Sequence, residues 1–393
     1  MLMDYKRAYN TFREQYNQQE REIHLPEAGF TIRNLPFQSK QIDFLPSSSE
    51  NAIDHREEFH LISDDQIEEN RRFVYPVVVS DPPGQSEEAI ILLHGLNERN
   101  WDKYLPWAAA LNERTGQPVI LFPISFHVNR CPQEWKNPRL MSRLAQERMK
   151  NNEGLSDATF LNAAISDRIE RMPQRFFTSG LETYYDLLSL IRQIQEGNHP
   201  WLAKKQRINF FGYSIGALLT QILLMTNPDN LLKESKALLF CGGAAIDRMK
   251  GASRYILDSL AFKTLHAYYM HLEDHMRNDS TLWTILKKMD PGLYFRSMID
   301  ALGMQDYRIK RFRELSDNLK IIALNKDQVV SPSAIRNTFQ GVGRKLNQLI
   351  RVMDFPYPYT HENVFPLGSG ISPQAVDQSF RRVFDGASRH LAG

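Results

Sequence analysis

Short apolar runs alternating with amphipathic stretches over about 300 residues predict an α/β protein, a mostly parallel central sheet with helices on both faces. Three observations carry that expectation. Runs such as Ala89-Ile90-Ile91-Leu92-Leu93 are apolar without a break, the pattern of a strand buried on both sides. The stretches between such runs place apolar residues three and four apart, as a helix with one buried face does. Finally, the run Ile208-Asn209-Phe210-Phe211 passes directly through Gly212-Tyr213-Ser214-Ile215-Gly216 into an apolar helical run. A strand there turns into a helix with no room for a loop.

Taken in order, residues 1–71 are polar and mixed and read as an N-terminal arm packed on the main domain. Tyr5 to Tyr16 has the pattern of a short amphipathic helix, and Ser47-Ser48-Ser49 reads as loop. The main domain is expected over 72–391. Phe73 to Val79 is a strand interrupted by Pro76, which places it near a sheet edge. Asp81-Pro82-Pro83-Gly84 is a turn. The strand Ala89–Leu93 ends at His94-Gly95-Leu96, and a helical pattern runs from Trp101 to Arg114 and stops at Gly116. Pro118 to Phe122 is the next strand, and Leu181 to Gln195 a long amphipathic helix. After the Gly-x-Ser-x-Gly turn a helix extends to about Met225. Strands follow at Ala237–Phe240, Leu319–Leu324 and Leu349–Met353, with helices near Ser333 to Leu346 and Pro373 to Leu391. Two helical insertions, about 131–175 and 245–318, break the alternation. They read as caps over the carboxyl ends of the strands, where open α/β sheets bind ligands.

Composition narrows the function. The 393 residues are 42% hydrophobic and 24% charged, ordinary for a globular protein. A net charge of +2, with no block of like charges, argues against a dedicated nucleic-acid binder. No apolar stretch approaches the roughly 18 residues of a membrane span. The opening Met-Leu-Met-Asp-Tyr-Lys-Arg lacks the features of a signal peptide. Two cysteines, Cys131 and Cys241, are too few for a disulfide framework and read as inert core thiols. The expected compartment is the reduced cytoplasm. His271 and His275 lie four apart on one helical face, but they do not form His-Glu-x-x-His; a solvated helix is expected there, and no metal or cofactor. The arginines between Arg168 and Arg175 read as a solvated face.

The chemistry concentrates at Ser214. A hydroxyl is a poor nucleophile unless exposed and presented to a base. A sharp turn does the first, and glycines two before and two after let strand and helix pass closely. The base and its orienting acid should stand in loops after other strands. Asp327 follows Ile321-Ile322-Ala323-Leu324, and His361 lies in the loop after the last strand, giving the chain order Ser, Asp, His. Asp247, after the preceding strand, is a rival acid. His127 follows the strand Pro118–Phe122 and is a rival base that would precede the nucleophile. His127 and Arg130 could also line a substrate pocket or hold the base of the first insertion; Tyr213 is a further pocket candidate.

With those residues in place the chain resembles the α/β-hydrolase superfamily over about residues 72–391. Gly212-Tyr213-Ser214-Ile215-Gly216 is similar to its nucleophile elbow, and His94-Gly95 after a buried strand is similar to its oxyanion loop. The resemblance implies that Ser214 attacks, His361 is the base, Asp327 orients it, and the N–H groups of Leu96 and Ile215 hold the oxyanion. It implies a serine hydrolase acting on a small acyl substrate, an ester, thioester or amide. An acyltransferase with the same triad, or a non-catalytic binding protein, stands as the alternative.

Overall fold

The computed structural model describes residues 3–40, 64–81, 86–204, 206–277, 280–343 and 346–392. The expected loop at Ser47–Ser49 and most of the turn after Asp81 lie outside them. Among the described residues nine strands form one sheet: β1 (Glu22–Leu25), β2 (Phe30–Gln38), β3 (Arg72–Ser80), β4 (Glu88–Leu93), β5 (Val119–Phe122), β6 (Arg207–Tyr213), β7 (Ala237–Phe240), β8 (Leu319–Leu324) and β9 (Ile350–Met353). Their order is β1-β2-β3-β5-β4-β6-β7-β8-β9. From β5 to β9 every pairing is parallel, and β1, β2 and β3 are antiparallel to their neighbours.

Alternate residues of the central strands feed opposite cores, as the pleat requires. Ile91, Leu93, Phe122 and Phe210 join one cluster, with the helices Arg175–Glu196 and Ile215–Thr226 against it. Ile90, Leu92, Leu121 and Phe211 join the other, beneath Tyr104–Thr115 and Pro373–Ala392. This two-sided burial is why the strands read as unbroken apolar runs.

Two expectations need correction. The N-terminal segment is more than a packed arm: β1 and β2 extend the sheet, and β2 pairs with all nine residues of β3. Consequently β3 is not near the edge despite Pro76. The proline is tolerated because β5 pairs only with Val77 and Val78, leaving the other flank of β3 open at Pro76. There Val74 O accepts a hydrogen bond from Asn129 Nδ2 instead (2.7 Å).

The parallel strands point the same way, so the loops after β4, β6, β8 and β9 gather at one edge of the sheet. Those loops hold Leu96, Ser214, Asp327 and His361. The insertions pack on each other: Asn162 Nδ2 donates to Ser253 O (3.0 Å) and Thr159 Oγ1 to Arg254 O (2.7 Å).

Candidate active site

Ser214 stands between β6 and the helix Ile215–Thr226 at φ 54°, ψ −117°, a backbone conformation L-residues rarely adopt. The turn is held by close packing that only glycine permits. A Cβ on Gly216 would lie 2.4 Å from Leu93 O, and one on Gly212 would lie 2.8 Å from Ala217 Cα. Gly216 N–H donates to His94 O (3.1 Å), tying the elbow to the loop after β4.

From Ser214 a chain of hydrogen bonds runs inward. His361 Nε2 is 2.7 Å from Ser214 Oγ, and His361 Nδ1 is 2.8 Å from Asp327 Oδ2. The other carboxylate oxygen, Oδ1, accepts from the N–H groups of Val329 and Val330, each at 2.9 Å. Asp327 is thus fixed as an acceptor facing Nδ1–H, which leaves the Nε2 lone pair toward the serine. Burial and the Asp327 carboxylate push the Cys241 thiol well up, so it stays protonated beside the acid.

His361 is positioned from the elbow itself. Tyr213, the residue before Ser214, donates its hydroxyl to the His361 carbonyl oxygen, and its ring stacks on the imidazole (centroids 5.5 Å apart). Lys103 lies over the Tyr213 ring (4.8 Å), donates to Glu362 O (3.2 Å) and pairs with Glu98. Tyr213 is therefore a buried brace for the histidine loop, not the pocket residue expected from the sequence. Its aromatic body fills the core while its hydroxyl is consumed.

The loop after β4 is shaped by His94. Its Nδ1–H donates to Gly95 O (2.8 Å) and its Nε2 accepts from Ile124 N–H (2.9 Å). Burial holds the ring well below the usual histidine range, so it is neutral, as that pair of bonds requires. Gly95 N–H donates to Tyr104 Oη (3.0 Å). The N–H groups of Leu96 and Ile215, in contrast, have no partner among the described residues. Asn97 follows at φ 62°. Its amide donates to Leu161 O (2.8 Å) in the first insertion and Tyr255 O (2.7 Å) in the second. Nothing in the local sequence around Asn97 signalled that tie.

A small apolar cavity is lined by Leu96, Ile215 and residues of the helices Ala163–Arg171, Arg175–Glu196 and Ile215–Thr226. His127 is among the residues that line it, with Nδ1–H donated to Ser125 O (2.8 Å); burial pushes its pKa down to about 4. The structure gives His127 no contact with Ser214. Arg130 does not line the cavity. It is wholly buried, pairs with Asp186 (2.9 Å) and Glu182 (3.6 Å), and lies over the Phe73 ring (4.2 Å). A guanidinium with two carboxylates at hand is held beside them and not at the pocket wall.

The rival acid is also placed elsewhere. Asp247 Oδ1 accepts from Ala301 N–H (3.0 Å) and its carboxylate pairs with Arg248 (2.9 Å). Arg168 and Arg175 are not on a solvated face: both are buried on Asp64, at 2.8 and 3.1 Å. Among the described residues no group of three His, Cys, Asp or Glu side chains could hold a metal ion. No helix among them is long and apolar enough to cross a membrane.

Setting β1 aside, the strand order, with Ser, Asp and His in that order after β6, β8 and β9, is that of the α/β-hydrolase fold, and the protein is of that class. It belongs to DUF6051, a family of unknown function whose model matches residues 3–392. No curated protein matches the chain. Among solved structures the chain is similar to a cold-adapted esterase from an Arctic intertidal metagenomic library, with 11% identity, TM-score 0.44, and coverage of 94% of this chain and 97% of that one. It is also similar to a thermostable esterase from Pseudomonas putida, with 12% identity, TM-score 0.44, and coverage of 99% and 91%. A third likeness is to an acylaminoacyl peptidase of Pyrococcus horikoshii, with 14% identity and TM-score 0.39, over 92% of this chain and 42% of that one.

Proposed function

We propose that the protein is a serine hydrolase that cleaves a small carboxylic ester, thioester or amide through an acyl-enzyme. The observation that carries this reading is the unbroken hydrogen-bonded line from Ser214 Oγ through His361 to Asp327, at 2.7 and 2.8 Å, on a strained elbow. A binding protein has no use for a serine held in that conformation opposite a histidine whose tautomer is set by a buried carboxylate.

In the first half-reaction His361 Nε2 takes the Ser214 proton as Oγ attacks the carbonyl carbon. Asp327 holds the imidazole in place and stabilises the imidazolium. The N–H groups of Leu96 and Ile215 receive the oxyanion, each on the order of 3 kcal/mol of transition-state stabilisation. His361 then protonates the leaving group. In the second half-reaction it activates water, which attacks the acyl-enzyme and releases the acid. No metal or cofactor enters the scheme. The insertions at 131–175 and 245–318 act as caps that shape access to the site. Two free, buried cysteines fit a cytoplasmic setting.

A fluorophosphonate probe tests the reading. Labelling of the intact protein, lost in Ser214→Ala, is the expected result. No labelling, or equal labelling of Ser214→Ala, would refute it.

A further inference from the structure

We propose that the cavity lined by Leu96 and Ile215 is an acyl-chain channel for straight-chain acids of about eight carbons, and that Gly180 sets its girth. This rests on the serine-hydrolase reading and adds a substrate class to it.

The channel follows one face of the helix Ile215–Thr226, along Ile215, Leu218, Leu219 and Ile222. From Ile215 to Ile222 the helix rises roughly 10 Å. A staggered alkyl chain advances about 1.25 Å per carbon, so that length holds about eight carbons. Tyr184, whose hydroxyl donates to Thr226 Oγ1 (3.0 Å) at the end of the same helix, lines the far part. The space is narrow: about 60 Å³ is open to the centre of a water-sized sphere, which suits one unbranched chain better than a ring system.

Most of the polar groups on the wall are held by other partners; the exceptions are His127 Nε2 and Arg168 Nε, both buried with no hydrogen-bond partner among the described residues. Arg168 Nη2 donates to Asp64 and to Ser179 Oγ (2.8 and 3.2 Å), and Arg175 Nε donates to Asp64. Apart from His127 and Arg168, the residues that line the channel beside the helix Ile215–Thr226 are mostly alkyl and aromatic. Leu96 and Ile215, whose N–H groups would hold the carbonyl oxygen, line it, so we assign it to the acyl side of the substrate, and the ester pair below distinguishes that side from the leaving-group side.

Gly180 supplies the second, independent observation. It lies within the helix Arg175–Glu196, where glycine weakens the helix. Close packing does not demand it: a Cβ there would meet no atom within 4 Å, yet the residue lines the channel. The glycine is explained if the space beside it belongs to a ligand.

The test is a panel of 4-nitrophenyl esters from acetate to palmitate, run on the intact protein and on Gly180→Leu. We expect kcat/KM to peak near octanoate, and the octanoate-to-acetate ratio to fall about tenfold or more in Gly180→Leu. Gly180→Ala should shift the peak to shorter chains. Turnover without dependence on acyl length, or a Gly180→Leu profile that overlays the parent's, would overturn the channel while leaving the hydrolase reading intact. Faster cleavage of octyl acetate than of methyl octanoate would also overturn it. Absence of Ser214 labelling would instead remove the reading beneath it. Should Gly180→Leu fail to fold, thermal denaturation of Ser214→Ala decides: octanoate must raise Tm more than acetate or palmitate, and equal or absent shifts count against the channel.

Discussion

Asn97 gives the sharpest test of how the site is assembled. Its amide joins both insertions to the loop that carries Leu96 N–H, and its φ of 62° is one that alanine resists. Asn97→Gly deletes two hydrogen bonds, each about 0.5–1.5 kcal/mol net, so stability should fall by about 1–3 kcal/mol. Asn97→Ala deletes the same bonds and adds left-handed strain, a further ~1 kcal/mol. The difference between the two variants reads the strain net of glycine's greater unfolded-chain entropy, and both should fold. The effect on activity is separate. Losing a whole oxyanion donor costs about 10²–10³ in kcat, so a loosened Leu96 should lower kcat by roughly 10–100-fold with little change in KM. Urea unfolding and steady-state hydrolysis of a chromogenic ester measure the two quantities. If both variants keep kcat within about twofold of the parent, the loop does not depend on its ties to the insertions and the reasoning fails.

Three further outcomes are expected. Gly216→Ala would press a methyl on Leu93 O at 2.4 Å and strain the bond to His94 O, costing about 2–4 kcal/mol in urea unfolding; Gly180→Ala, with no neighbour within 4 Å, should gain about 0.5–1 kcal/mol in the same assay. Tyr213→Phe keeps the ring against His361 but removes the bond to its carbonyl; kcat/KM should fall about tenfold while unfolding shifts by about 1 kcal/mol, and unchanged kinetics would show that the brace is dispensable. Stability should also decline as pH falls from 6.5. His127 is pushed from 6.5 to about 4 by burial, so the native state binds fewer protons than the unfolded chain between those values. Its contribution is full above pH 6.5 and about 2 kcal/mol smaller at pH 5. Asp186, raised by burial to about 6, opposes this, since its protonation on the same descent relieves about 1 kcal/mol. His94, His199 and His390 shift the same way as His127, so the decline should prevail; a urea midpoint equal at pH 7 and pH 5 would contradict it.

What could be read from the sequence was local. Strands β4, β5 and β7 are almost unbroken apolar runs because both faces are covered, and burial on both faces leaves that signature without any need to know the partners. Ser214, Asp327 and His361 come after β6, β8 and β9, so the topology gathers them once the strands are parallel. β2 escaped because its alternation breaks at Asn34, which is buried yet polar. Its amide is satisfied by Asn17 O and Glu20 O, partners that only the fold supplies. Arg168 and Arg175 were misread for the same reason: the carboxylate that lets them be buried, Asp64, lies far away in the chain. The cavity was invisible because its wall is assembled from separate helices. Tyr213 was named for the wrong task, since nothing in Gly-Tyr-Ser-Ile-Gly indicates which way the tyrosine points.

The pairing of β2 along the whole of β3 has a practical consequence. A shortened chain starting at residue 72, the boundary that composition suggests, would strip Arg72–Ser80 of its β2 partner along its whole length and leave it held in the sheet only through Val77 and Val78. A flank so exposed is a template for another molecule's strand. It would also lose Tyr5, whose ring stacks on Phe380 at 4.6 Å and whose N–H donates to Asp377 Oδ1 on the last helix. The trimmed protein should self-associate before it unfolds, so any attempt to isolate the region that carries Ser214, Asp327 and His361 has to retain the first forty residues.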